Sequence, residues 1–172
     1  MLIRLASVAL AVLFSTSTAR ADVTAKAPDG FVIHIATVVK LNRDDAWARL
    51  VDIGSWWNSA HTYSGDAKSL NLNAEAGGCW CETWSGGEVE HGRVAAVMPH
   101  SLLRVSAALG PLQDMGVSAA LTFQLADGAE AGTTKLTVDY KVNGSSVSGL
   151  DKVAAAVDGV LSEQVARLAA GK

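Results

Sequence analysis

The sequence predicts an α+β domain: a run of antiparallel strands with one apolar face, laid against a single long C-terminal helix. Three observations predict it. Between Gly149 and Ala170 a stripe of Leu150, Val153, Val157, Leu161, Gln164 or Val165, and Leu168 recurs every three or four residues, with Asp151, Lys152, Asp158, Glu163 and Arg167 on the other faces. Val117 to Leu125 and Leu136 to Val142 instead alternate with a period of two, as antiparallel strands do when one face is buried and the other wet. The strand signals come in a run and the long helix follows them, with no repeat or low-complexity segment between. About 22 residues at about 1.5 Å each make a rod of roughly 33 Å, which cannot bury its stripe alone.

The first residues are set apart from the fold. Arg4 gives a basic start, Leu5 to Phe14 a short apolar core, and Ala19-Arg20-Ala21 a small-x-small cleavage pattern. Residues 1–21 are therefore expected to be a secretory signal, and Asp22 the first mature residue of a periplasmic or secreted protein. The apolar run is about 10 residues, against the about 20 needed to cross a bilayer, so no membrane insertion is expected after its removal. No cysteine follows the run, which gives no support to a lipid anchor. The chain carries 14 basic and 17 acidic residues, a net charge of −3, and the leader takes Arg4 and Arg20 with it. A mildly acidic chain without a basic run speaks against nucleic acid as a partner. Residues 22–172 suffice for one domain with a real core.

Taken in order, Ala25 to Gly30 reads as a polar lead-in, and Phe31 to Lys40 as a strand with Phe31, Ile33, Ile35 and Thr37 on one face and His34 on the other. Asn42 caps a short helix with Asp45 at the capping-box position; Ala46, Trp47, Leu50 and Val51 form its buried side and Gly54 its end. Ser55 to Lys68 has no period but holds Trp56, Trp57, His61 and Tyr63. Three short β runs follow, Ser69 to Ala74, Cys79 to Ser85 and Val89 to Met98, punctuated by Gly77-Gly78 and Gly86-Gly87. Leu102 to Leu109 places Leu103, Val105 and Ala107 inward. The closing helix is expected to be capped by Ser148, with Asp151 three positions on, and closed by Gly171.

Several local motifs carry a resemblance over nearly the whole of 22–172. They are Asp45-Ala-Trp47 with Trp56-Trp57, Gly77-Gly78-Cys79-Trp80-Cys81-Glu82, and Gly92-Arg93-Val94 leading to Met98-Pro99. Gly132-Thr133-Thr134-Lys135-Leu136 and Val157-Asp158-Gly159-Val160-Leu161 complete the set. In this order they resemble the START-like superfamily, also called SRPBCC or Bet v 1-like, and most of all its bacterial polyketide-cyclase and heat-shock-ATPase-activator-like branches. The resemblance implies a helix-grip fold, in which a curved antiparallel sheet of about six to seven strands wraps the C-terminal helix, with short helices after the first strand. It also implies a cavity for apolar ligands between sheet and helix, but no single reaction.

Residues able to carry chemistry are few. Glu82 lies between Trp80 and Trp84 on one strand face. If Ser85 pairs with Glu88, Glu82 falls opposite His91 and Trp80 opposite Arg93. A carboxylate and an imidazole beside indoles can do acid–base work, so Glu82 and His91 are the candidate catalytic pair; on a wet face they would be a plain salt contact. Parity leaves two options: a four-residue loop at Glu75 to Gly78 turns Cys79 and Cys81 inward, and a bulge at the glycines turns the tryptophans inward. Regular strand spacing puts Cys79 and Cys81 about 6.6 Å apart, which favours two free thiols; a disulfide would need that bulge, and a metal site shared with His61 or His91 lacks ligand spacing.

The expected ligand-binding residues are Trp57, His61, Tyr63, Trp80, Glu82, Trp84, Phe123, Tyr140 and Val157, with the tryptophan-rich stretch as either a ligand mouth or a second hydrophobic cluster. No phosphate loop, nucleophile elbow or HExxH motif occurs, so no cofactor and no metal are expected. The expected function is binding of a small hydrophobic or amphipathic ligand. The alternatives are a cofactor-free acid–base enzyme of polyketide-cyclase type and, less in keeping with export, a chaperone-interaction module. Ala154 to Ala156 and Gly159, if they face the sheet, would leave the helix as one wall of a pocket.

Overall fold

The computed structural model describes residues 20–171. The leader read at 1–21 lies outside these residues except for Arg20 and Ala21, whose backbone opens the first strand. Eight strands form one antiparallel sheet: β1 (Arg20–Ala27), β2 (Gly30–Val39), β3 (Leu70–Leu72), β4 (Cys79–Trp84), β5 (Gly87–Met98), β6 (Leu102–Ser106), β7 (Ser118–Asp127) and β8 (Thr134–Asn143). Their order across the sheet is β1-β2-β8-β7-β6-β5-β4-β3. A short helix, α1 (Arg43–Val51), and three single 3-10 turns lie between β2 and β3, and the long helix α2 (Leu150–Ala170) closes the chain. This open sheet with a long C-terminal helix is a helix-grip arrangement.

The alternating segments become strands with the expected faces. Phe31, Ile33 and Ile35 of β2, Leu103 and Val105 of β6, Leu121 and Phe123 of β7, and Val138 and Tyr140 of β8 are all buried. Against them pack Leu150, Ala154, Leu161, Val165 and Leu168 of α2, which lies chiefly over β1 and β2. His34 on the outer face is bonded to Asp139 of the neighbouring strand at 2.8 Å.

Four expectations need correction. Ala25 to Ala27 of the polar lead-in belong to β1, an edge strand paired along its length with β2, and Pro28 and Asp29 form the turn into β2. Polar edge strands carry little apolar alternation, so the periodic signal is weak there. Its turn also caps α2: the Leu150 amide donates to the Pro28 carbonyl at 2.9 Å. The N-cap position is Gly149, at φ 65°, a left-handed conformation that suits glycine. Ser148 instead accepts from the Ser145 amide at 3.0 Å. Gly159 does not face the sheet. It is exposed on α2, with open space where a side chain would stand; Ala155 is exposed too, whereas Ala154 is buried and Ala156 lines the cavity described below.

The fourth correction concerns β4. Cys79 and Cys81 form a disulfide, with Cα atoms 5.4 Å apart. The register irregularity that accompanies it is not at Gly77-Gly78. It falls at Trp80/Cys81, where Trp80 pairs with Gly92 and Cys81 with Glu90, so His91 is an extra residue of β5. A bulge of this kind bends the ladder and increases its twist, which brings the two cysteines closer than regular strand spacing allows.

Candidate functional site

The two-residue turn between β4 and β5 lies one residue nearer the N-terminus than the pairing inferred from Gly86-Gly87. Trp84 pairs with Gly87, so Glu82 stands opposite Val89 and not His91. A shift of two residues in register preserves faces, which keeps Trp80 and Glu82 on the inner side with Leu70 and Leu72, their partners in β3. The bulge then restores what the register alone would have lost. The extra residue His91 turns inward, and its Nε2 lies 2.9 Å from Glu82 Oε2. Gly92 beside it allows β6 to come close; a Cβ there would meet the Ser106 carbonyl oxygen and the Ala107 methyl at 2.6 Å.

Glu82 is fully buried and His91 nearly so. The carboxylate also accepts from the Tyr63 amide at 3.1 Å and from the Ser64 amide, so it ties the aromatic connection onto the sheet. Burial pushes the Glu82 carboxyl up, but the Ser64 hydroxyl, the two amides and His91 outweigh it and hold the group below its ordinary value. It is a carboxylate. A buried charge of this kind persists only when hydrogen bonds replace its lost water, as they do here.

The irregular stretch from Ile53 to Ser69 is held from below and from the side. Trp56 is buried completely, donates Nε1 to the Leu50 carbonyl, and accepts at its own carbonyl from Arg167 at 2.8 Å. The Asn58 amide donates to the buried Gln164 Oε1 at 2.7 Å, and His61 Nε2 stands 3.4 Å from Glu163. The Asn58 side chain, with His61 and Arg167, holds the Glu163 carboxyl below its ordinary value. Trp57 stacks edge-on to both Trp56 and Trp80, at centroid distances of 5.5 and 5.1 Å, and Trp80 lies 5.9 Å from the His91 ring. The tryptophan cluster is thus a foundation on its inner side and a wall on its outer side.

That wall borders a cavity of about 590 Å³. Trp57, His61, Tyr63 and His91 line one side of it, Val153, Val157, Val160 and Leu161 of α2 another, and Leu109 to Met115 with Tyr140 complete it. Val153 and Val157 are only half-buried although they belong to the apolar stripe, because they face this space and not packed side chains. The contact between helix and sheet is therefore solid along β1 and β2 and hollow over the other end. Tyr140 sits at the junction: its hydroxyl donates to the Ala107 carbonyl at 2.9 Å and accepts from the Leu109 amide at 3.1 Å. Burial pushes its phenol up to about 12, so it stays protonated.

Of the residues singled out from the sequence, Trp57, His61, Tyr63, His91, Tyr140 and Val157 lie on the cavity wall. Trp80 and Glu82 stand behind it, buried, in contact with residues that do. Two do not belong to it: Trp84 covers Gly86 and Gly87 at the hairpin, and Phe123 is in the packed core. The segment from Leu109 to Met115 is the part that strand periodicity leaves unmarked. Its one signal is composition, since Leu109, Pro111, Leu112 and Met115 are unusually apolar for a connection. Both cysteines are on the sheet face opposite to Trp80 and Glu82, so a metal site joining them to His91 is ruled out by orientation.

No family model matches the chain, and no curated protein matches it. Solved structures do. A protein from Rhodobacter sphaeroides is 17% identical with a TM-score of 0.56, over 88% of this chain and 97% of that one. A protein from Nitrosospira multiformis is 15% identical with a TM-score of 0.57, over 81% and 94%. DynU16, a protein of the dynemicin biosynthetic locus, is 21% identical with a TM-score of 0.53, over 80% of this chain but 45% of its own. At these identities the likeness is one of fold.

Proposed function

We propose that the protein binds a small hydrophobic or amphipathic molecule in the space between α2 and the sheet, and that it does so as an exported, START-like protein. The observation that carries the binding reading is the cavity itself, about 590 Å³ with an apolar wall and two stripe valines of α2 turned into it. Its volume falls within the roughly 300–1,000 Å³ of small-molecule sites, and a well-packed domain leaves few voids larger than a water. The order of elements and the fold shared with DynU16 support the superfamily, and the leader pattern at 1–21 supports export. Native mass spectrometry and displacement of a fluorescent hydrophobic dye test the binding. A dye that enters wild type and is excluded by Val157→Trp supports it; a dye that ignores wild type sinks it. Export is tested separately, by sequencing the N-terminus of the protein recovered from outside the cytoplasm, which should begin at Asp22.

A second reading has its own observation, the buried Glu82 behind a His91 that reaches the cavity wall. This is the layout of an acid–base enzyme acting on the bound molecule, a polyketide-like one as the superfamily resemblance implies. In that case Glu82→Gln removes turnover while the ligand still binds.

A further inference from the structure

The polar groups on the cavity wall differ in whether they are already used. Trp57 Nε1 donates to the His61 carbonyl at 3.0 Å, and the Thr62 hydroxyl donates to the Ser59 carbonyl at 2.7 Å. His61 is drawn outward to Glu163. The Tyr63 hydroxyl reaches the Gly110 carbonyl at 3.5 Å, and the Tyr140 hydroxyl is engaged on both sides by Ala107 and Leu109. Asp114 is exposed at the rim. His91 is different, because Glu82 takes one ring nitrogen and no described residue takes the other.

Which nitrogen carries the proton follows from the partner. An ionised carboxylate only accepts, so His91 Nε2 must donate to Glu82, and in the neutral ring this leaves the lone pair on Nδ1. Glu82 cannot rotate to offer anything else, since the Tyr63 and Ser64 amides fix it. The imidazole is flanked by the rings of Tyr63, at 5.8 Å, and Trp80. The one charged group behind it is negative. The open Nδ1 lone pair is thus the one ring acceptor the site leaves unused.

We propose that His91 Nδ1 is the base of the cavity, and that the bound molecule is an amphipath whose polar end is a weakly acidic hydroxyl, a phenol or an enol. This rests on the binding reading and deepens it. The hydroxyl O–H bond breaks, its proton goes to Nδ1, and the electron pair stays on the ligand oxygen. The products are an oxyanion and an imidazolium, the latter stabilised by Glu82, with no further reactant and no change in total charge. The rest of the molecule lies against Val153, Val157, Leu112 and Met115. Glu82 is a positioning residue: it never meets the ligand but sets the tautomer that does.

The test uses purified full-length protein and an alkyl-substituted 4-nitrophenol, whose phenolate absorbs at longer wavelength than its phenol, with the methyl ether of the same compound as control. Both compounds should displace a hydrophobic dye from wild type. At a pH below the probe's own midpoint, the bound phenolate-to-phenol ratio in wild type should exceed that in His91→Gln by roughly tenfold or more, as expected for an ion pair formed at short range. His91→Gln keeps a donor for Glu82 and lacks the base. Glu82→Gln replaces the carboxylate by a neutral amide, which takes the counter-charge from the imidazolium, and should bind the probe as neutral phenol; circular dichroism and ether binding show that it is folded. Equal ratios in wild type and His91→Gln, with the ether still bound, overturn the inference and leave the binding reading standing. Failure of both compounds and the dye to bind overturns the binding reading itself.

Discussion

At the scale of single residues, Glu82 is the position on which most depends. Its carboxylate satisfies two backbone amides of the aromatic connection and one nitrogen of His91. Truncation to alanine strands those donors in a buried place, where each unpaired group costs about 1–3 kcal/mol. Glu82→Ala should therefore lower stability by about 3 kcal/mol in urea unfolding. The effect of acid has a definite sign. Because the folded carboxyl is held below its ordinary value, its contribution is complete above the ordinary carboxylate range and is lost as pH falls through the lower folded value. The stability gap between wild type and Glu82→Gln should accordingly narrow on acidification; a gap that widens would mean that Glu82 is protonated in the native state. The residue was legible in the sequence as one half of a carboxylate–imidazole contact. Its partner was also legible, but through a register that the hairpin does not adopt, and the contact survives because the bulge at His91 compensates.

At the scale of elements, α2 shows most clearly how a periodic pattern can be right while its interpretation changes. The stripe of Leu150, Leu161, Val165 and Leu168 is buried as its spacing requires. Val153 and Val157 share the spacing but meet a cavity, and nothing in a hydrophobic period distinguishes a packed partner from a void. The sequence offers Gly159, with Ala154 to Ala156, as a small residue facing the sheet. It lies on the open side, where alanine would meet nothing within 4 Å. Gly159→Ala should thus raise stability by about 0.5–1 kcal/mol, from helix propensity and a less flexible unfolded chain, without touching ligand uptake. The wall is altered instead at Val157. Val157→Phe should weaken binding of a hydrophobic probe by roughly tenfold, equivalent to about 1.4 kcal/mol, while stability changes by less than about 1 kcal/mol. Dye titration together with urea unfolding separates the two effects.

At the scale of the whole molecule, one domain divides its interior between support and space. The β1–β2 end carries α2 on a packed core, and the connections from Ile53 to Ser69 and from Leu109 to Met115 close the other end around a hollow. Arg49 strengthens this division, since it donates to the Leu168 and Arg167 carbonyls at the C-terminal end of α2, where cations and donors are favoured. A ligand that fills the hollow binds the folded state alone. At a free concentration of 100 times its Kd it should add about 2.7 kcal/mol, read as a rise in Tm of about 5–10 °C for a chain of this size. A saturating ligand that leaves Tm unchanged would place its binding elsewhere or in the unfolded chain as well.

The sequence by itself determined the α+β class, the strands whose alternation is strong, and the caps at Asn42 and Gly171. These are consequences of local spacing and residue chemistry, which a linear chain displays directly. Only the tertiary structure decided the rest. The edge strand β1 is made by its neighbour β2, not by its own composition. The disulfide depends on a bulge that arises from pairing between two strands, and so does the inward turn of His91. The cavity depends on where α2 stops touching the sheet, and on a connection from Leu109 to Met115 that closes over the gap. Burial, register and empty volume are properties of surfaces brought together, and no window of the sequence contains both surfaces.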